Sequence, residues 1–395
     1  MLKGWTGSTD CDFAPRIALQ SINESALCIN RVRRKSSLSH QGFQIANGMS
    51  KLVTDEQVHK LLDKHTVKEA EELLITLGHQ RQLNGHYQGD IIAIDPHRII
   101  STSQRIMPKK NKMSNEKPKK TLQTFFSLSV ATGQPIMAYI GSSGMPVSKA
   151  TQHVIAATGE IIRTPGLIMA DKEHFTFELL KMFSQHEQYD ILTPVRKTKK
   201  LEQIVRSLSY QPLWAGYAVA ETKYAIHNQQ DQSYRMIVQR KGGTKDSYDY
   251  DAFITTSAKS AEELLSINYP ERWSIEEFFR FENKMGLNRM GTHNLNIRYG
   301  KLALSMMAQA SIYQFRSNLK GEYRKWNAEH LANEIFGWLE GDIRVVKDTI
   351  LVTIYNAPDF LKKEKYINLP EQLQQENIDP RIPWLYDLKL DFRFK

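Results

Sequence analysis

Cysteine is nearly missing from this chain: Cys11 and Cys28 are the only two in 395 residues. Two thiols cannot build a disulfide framework, and without a C-x-x-C pair they offer no zinc ribbon, so a reducing cytoplasm is the expected compartment. Long apolar runs are lacking too. None approaches the ~20 residues that span a bilayer, and the polar opening "MLKGWTGSTDCDF" has no leader-like apolar centre, so neither secretion nor insertion in a membrane is expected. No internal repeat and no long low-complexity tract is visible. Acidic residues are in deficit, 43 against 53 Lys+Arg, for a net charge of +10. That imbalance suits a polyanionic partner, either nucleic acid or an anionic membrane surface.

The hydrophobic fraction of 41% with 24% charged residues is that of a folded globular protein, long enough for two or three compact units. Residues 1 to about 50 read as irregular, with a basic cluster "RVRRK" at 31–35 suited to DNA contact. Helical spacing runs from 51 to 84, where Thr54 and Asp55 are capping candidates. At "GDIIAIDPHRII" the texture changes to a short apolar strand that ends at Asp95-Pro96. The segment 105–120 carries seven Lys/Arg, Lys109 and Lys110 among them, against one Glu, and reads as a basic loop. Two strands around Ala131–Gln134, a helix over 147–161, the strand "PGLIMAD", a helix and the strand "YDILTPV" follow.

This order predicts a mixed α/β core. Residues 196–265 break the alternation and read as a β-rich insertion that opens on the basic "RKTKK". A helix from about 294 to 319 and a hairpin near 343–357 precede a Pro- and charge-rich tail. The resulting division is 1–84 as a partly helical N-terminal region, 85–195 with 266–355 as the core domain, 196–265 as the insertion and 356–395 as the tail.

Asp95 and Asp171 each close a short apolar strand, and crevices in α/β sheets open at such ends. Two aspartates delivered there by different strands repel each other unless a cation lies between them, and hard Mg²⁺ suits carboxylates. The alternative for each is a turn or capping residue. Asp90 competes with Asp95 but precedes its strand.

Projected on one helix, "YPERWSIEEFFRFENK" puts Ile275, Phe278 and Phe281, with Met285 just after it, on one side. Tyr269, Arg272, Glu276, Arg280 and Asn283 fall on the other. That arc is either a salt-bridged solvent face or one wall of a site. Trp214 in the insertion is either a core residue or a stacking surface for a base.

The set "IAIDPHR", "GLIMADKEHF" and "YPERWSIEEFFRFENK" resembles the DDE transposases of bacterial and archaeal insertion sequences. More narrowly it resembles the branch with a Y-x2-R-x3-E-x6-K signature. Tyr269, Arg272 and Glu276 match that signature; its lysine falls at Asn283, with Lys284 one place later.

The resemblance covers roughly 85–355. It implies an RNase H-like mixed sheet flanked by helices, interrupted by a β-rich insertion and preceded by a helical region. It further implies that Asp95, Asp171 and Glu276 hold two Mg²⁺ or Mn²⁺ ions for DNA cleavage and strand transfer at insertion-sequence ends. Tyr269, Arg272 and Lys284 would contact DNA, with Arg280, Lys109 and Lys110 adding basic charge. Terminal inverted repeats and target duplex are the implied partners, with a homodimer pairing two ends beside the nucleoid. The alternatives are an RNase H-like nuclease that cuts without joining, and a domesticated copy that binds DNA without catalysis.

Overall fold

The computed structural model describes residues 2–6, 14–29, 53–101, 104, 106–109, 117–226, 232–244, 247–284 and 292–395; side chains at 2–3, 280–284 and 384 are not described. The chain forms two compact units, one of residues 78–279 and one of 1–77 with 280–395.

The N-terminal region is more ordered than its sequence suggests. Helices α1 (Leu2–Thr6) and α2 (Ala14–Ala26) lie within the stretch expected to be irregular. The buried residues of α2 are Ala14, Ile17, Ala18, Gln20, Ser21, Ile22, Glu24 and Ser25, mostly small or polar residues that give hydropathy spacing little to register. "RVRRK" lies outside the described residues. Helix α3 (Asp55–Asp63) starts with a reciprocal cap, in which the Gln57 N–H donates to Thr54 Oγ1 (3.2 Å) and the Thr54 N–H to Gln57 Oε1 (3.0 Å). Two otherwise orphaned N–H groups are satisfied that way. Helix α4 (Val67–Leu83) follows.

The unit of residues 78–279 is built on a nine-stranded sheet. Strands β1 (Ile91–Ile100), β2 (Thr121–Ser129) and β3 (Gln134–Ser142) form an antiparallel meander. Gly133 turns the β2–β3 connection at φ +65°, a conformation that glycine adopts without strain. Helix α5 (Val147–Ile161) packs on β2 and β3, with Val154, Ile155 and Ile161 inward. Strand β4 (Gly166–Ala170) runs parallel to β1, and after α6 (Phe177–Ser184) strand β5 (Tyr189–Pro194) runs parallel to β4. Every residue of β2 is buried, so the sheet is covered there on both faces. The order β3-β2-β1-β4-β5 with helices packed on the sheet is the expected RNase H-like arrangement.

Residues 196–265 hold helix α7 (Lys199–Ser207) and strands β6 (Gln211–Trp214), β7 (Tyr217–Ala225), β8 (Ser233–Lys241) and β9 (Asp249–Thr255). These strands do not form a separate sheet. Strand β9 pairs antiparallel with β5, and the ladder continues through β8 and β7 to β6.

A π-helical stretch, Glu263–Asn268, leads into the single turn α8 (Tyr269–Glu271) and then α9 (Ser274–Lys284). "YPERWSIEEFFRFENK" is therefore two helices joined at Arg272-Trp273, not one continuous helix.

In the other unit, α10 (Leu295–Arg316) lies against α2 and α3. The short α11 (Ala328–Leu331) and the hairpin of β10 (Gly341–Val346) with β11 (Thr349–Ile354) follow. The stretch expected as a loose tail is folded: after α12 (Leu369–Gln375), strand β12 (Lys389–Phe394) pairs parallel to β11. Among the described residues no helix is long and apolar enough to cross a membrane.

Candidate active site

Strand register sets the first two carboxylates side by side. Ile94 and Ala170 are Cα partners across the parallel β1–β4 pair, so Asp95 and Asp171 are the next residues on neighbouring strands about 4.8 Å apart. Asp95 does not end its strand, as the apolar run implied; β1 continues to Ile100. What ends is β4. Beyond Ala170, β1 keeps only β2 as a neighbour, and a proline is tolerated where one edge of the strand is free. Pro96 thus fits inside β1, and Asp95 lies where the sheet opens.

Asp171 caps the 3-10 turn Lys172–His174. Its Oδ1 accepts from the Glu173 N–H (2.9 Å) and from His174 Nδ1 (2.8 Å), while Thr193 Oγ1 donates to its carbonyl (2.9 Å). His174 is fully buried, which fixes the Asp171 carboxylate through a partner that cannot swing away. The charge of Glu173 is in turn met by Arg98, from β1.

Glu276 comes from the first turn of α9. That helix is seated by Ile275 and Phe278, both buried, with Phe278 edge-on to Phe126 of β2 (5.2 Å) and His97 against Phe279 (4.8 Å). Arg272, at the α8–α9 joint, links the carboxylates: Nη1 lies 3.4 Å from Asp95 Oδ2 and Nη2 3.3 Å from Glu276 Oε1. Only 13% of the Arg272 side chain and 16% of Asp95 are exposed. Contacts this sheltered are weakly screened by solvent. Tyr269 lies under the guanidinium (5.8 Å to the ring centre) and edge-on to Phe253 (4.6 Å).

The two aspartates are pushed in opposite directions. Burial, and then the charge of Asp171, raises Asp95 to about 7, against the opposing charges of Arg272 and His174. Burial also acts to raise Asp171, but the His174 hydrogen bond and charge, the Glu173 N–H and Arg272 outweigh it and leave Asp171 below the usual carboxylate range. Hydrogen bonds to the ionised form have this effect.

A hard divalent cation suits this donor set by its chemistry: three carboxylates, two of them mutually repelling. As the side chains stand, however, no three acidic, imidazole or thiolate groups among the described residues converge closely enough to hold a metal ion. The Arg272 guanidinium lies between two of them.

Beside the carboxylates, a cleft of about 930 Å³ extends towards the insertion, lined by Lys172, Arg196, Lys197, Lys241, Asp251 and Tyr269 among others. Asp90 is placed elsewhere, paired with Lys259 (3.1 Å). Lys109 is exposed, whereas Lys110 and the side chains of Arg280 and Lys284 lie outside the described residues. Trp214 is not a core residue: it is half exposed and stacked on Tyr217 at 4.3 Å. His174 and Glu173 were not singled out in sequence. Their signal was an aspartate followed at two and three positions by residues able to engage it, the pattern of a cap.

A domain model described as "Transposase DDE domain" matches residues 86–310, more than half of the chain. The chain belongs to the DDE transposase family, enzymes that cut and join DNA. Among solved structures it is similar to a piggyBac transposase in a synaptic complex with hairpin DNA, at 10% identity and a TM-score of 0.41, over 80% of this chain and 70% of that one. No curated protein matches the sequence.

Proposed function

We propose that Asp95, Asp171 and Glu276 are the catalytic carboxylates of a transposase that cleaves and joins DNA at insertion-sequence ends. One observation supports this above the others: carboxylates from two segments distant in sequence, Asp95 and Glu276, meet at the Arg272 guanidinium, and a third, Asp171, lies near enough for its charge to act on both Arg272 and Asp95. A solvent-facing salt bridge explains Glu276 with Arg272, but not the inclusion of a sheltered aspartate from β1 beside a second one.

These three residues would hold Mg²⁺ or Mn²⁺, two ions per site in the family pattern. Such ions supply Lewis acidity that lowers the pKa of an attacking water or 3′-OH and steadies the leaving oxygen.

The chain's own groups have separable tasks. His174 and the Glu173 N–H keep Asp171 ionised and fixed in direction. Burial keeps the Tyr269 hydroxyl protonated, with Arg272 opposing, so it is available as a donor to a phosphate oxygen. Arg272 offers a planar fork for the same purpose. Lys172, Arg196, Lys197 and Lys241 give the adjoining cleft a cationic wall for backbone phosphates. Lys109, Lys110, Arg280 and Lys284 are assigned to backbone contact by their sequence position. The substrates are terminal inverted repeats and target duplex, with two copies of the chain pairing two ends.

The test is metal-dependent cleavage of a plasmid carrying the element's terminal repeats, followed by joining of pre-cleaved ends. Asp95→Ala, Asp171→Ala and Glu276→Ala should each abolish both steps. Cleavage that survives all three refutes the site, and cleavage without joining identifies a nuclease.

A further inference from the structure

We propose that Arg272 is the resident counter-cation of the carboxylate cluster, and that a divalent metal must displace it to engage Asp95 and Glu276 together. The inference rests on the site reading above and adds a competition that the reading does not contain.

The geometry carries it. The guanidinium uses different nitrogens for the two carboxylates, at 3.4 and 3.3 Å. Tight charge-assisted contacts run to about 2.7–2.9 Å, and a planar fork grips best when both arms hold one carboxylate. Arg272 does neither. It spans two acceptors with one long contact to each, which neutralises them without a strong bond to either.

The oxygens it spans, Asp95 Oδ2 and Glu276 Oε1, belong to two of the three groups a metal would need. Among the described residues these groups do not otherwise gather about a common point. Two cations contending for the same oxygens bind at each other's expense. The leaving guanidinium needs a new anion, since a sheltered unpaired charge is costly, and a DNA phosphate in the adjoining cleft is of the right class.

A rival account makes Arg272 a clamp that pre-assembles the carboxylates for metal. The two accounts differ in sign. Removing a competitor tightens metal binding, whereas removing a clamp loosens it.

The experiment is Mn²⁺ binding to the full chain without DNA, read as free Mn²⁺ by electron paramagnetic resonance. Displacement predicts that Arg272→Gln binds Mn²⁺ at least about fivefold more tightly than wild type, the lower end of ordinary coupling between two ligands. Arg272→Lys should fall between them, because a lysine can pair only one carboxylate at a time. Should the glutamine variant fail to fold, the lysine variant carries the test alone by the same tightening.

Weaker or unchanged binding in the variant that folds overturns the proposal alone, provided Asp95→Asn and Glu276→Gln still weaken Mn²⁺ binding. If those two variants leave Mn²⁺ affinity unchanged, the metal is not held by these carboxylates, and the site reading falls with the proposal.

Discussion

Substituting Asp95 by asparagine should make the protein more stable, and by an amount that depends on pH. Burial and the neighbouring Asp171 raise the Asp95 carboxyl from an ordinary value near 3.8 to about 7. A group whose folded pKa is raised binds its proton more tightly in the native state. Its contribution is therefore fully present below about pH 3.8 and is lost as pH rises through about 7. Three pH units at 1.36 kcal/mol each give about 4 kcal/mol as the plateau cost of ionising Asp95 in the folded chain. Because the titration is shared with Asp171, roughly 2–4 kcal/mol is the recoverable part.

Asparagine keeps an acceptor for Arg272 and carries no charge. Thermal unfolding in EDTA should show no difference between Asp95→Asn and wild type at pH 4. At pH 8.5 the variant's transition should lie roughly 5–15 °C higher, at 2–4 °C per kcal/mol for a unit of this size. Asp171→Asn should behave in the opposite way. Its carboxyl is depressed, so it stabilises above its unfolded pKa and loses that contribution as pH falls through the folded one. Between pH 4 and 7, where Asp95 is largely protonated, that variant should be destabilised. Equal shifts at pH 4 and 8.5 for Asp95→Asn, or a loss at 8.5, would refute the reasoning.

Further outcomes are expected elsewhere. The His65 ring is buried and stacked on Trp5 at 3.8 Å, neither of its nitrogens has a hydrogen-bond partner among the described residues, and burial lowers its pKa against the charge of Glu69. Stability should therefore be present above about pH 6.5 and decline as pH falls below it, with Trp fluorescence reporting the change; His65→Phe should flatten that slope. Gly166→Ala should cost about 1–3 kcal/mol in denaturant melts, because its Cβ would lie 2.6 Å from the Asp90 carbonyl oxygen. Lys241→Ala should weaken duplex binding alike for all sequences and reduce the log–log salt slope by about 0.9, measured by fluorescence anisotropy.

Some of this architecture was legible in the sequence because side-chain periodicity and burial agree there. Helix α5 occupies 147–161 with its apolar stripe inward, and Thr54 caps α3 as its position suggested. Strand β1 was only half legible. Its buried part, Ile92–Ile94, is an apolar run, but from Pro96 to Ile99 it is half buried and held by β2 alone, so hydropathy stops before the strand does. Helix α2 escapes hydropathy spacing because its buried side carries only two large apolar residues, Ile17 and Ile22, among alanines, serines, Gln20 and Glu24. The tail was misjudged because β12 gains its order from pairing with β11, a long-range contact that local composition does not record. At the site, the spacing of Tyr269, Arg272 and Glu276 was readable, whereas the reach of Arg272 to Asp95 depends on how α9 seats on β2.

The continuous ladder from β5 to β9 has a mechanical consequence. Asp171 follows β4, β4 is hydrogen-bonded to β5, and β5 to the first strand of the four that form the insertion's part of the sheet. Sheets of this kind twist but resist stretching along the hydrogen-bond direction, because each strand spacing is fixed near 4.8 Å. The insertion is then less a swinging arm than a ruler. On the proposed function, a phosphate bound at Lys241 of β8 would lie a set number of strand widths from the proposed catalytic carboxylates. The place where the DNA is cut would be chosen by the sheet's own spacing and not by the movement of a loop.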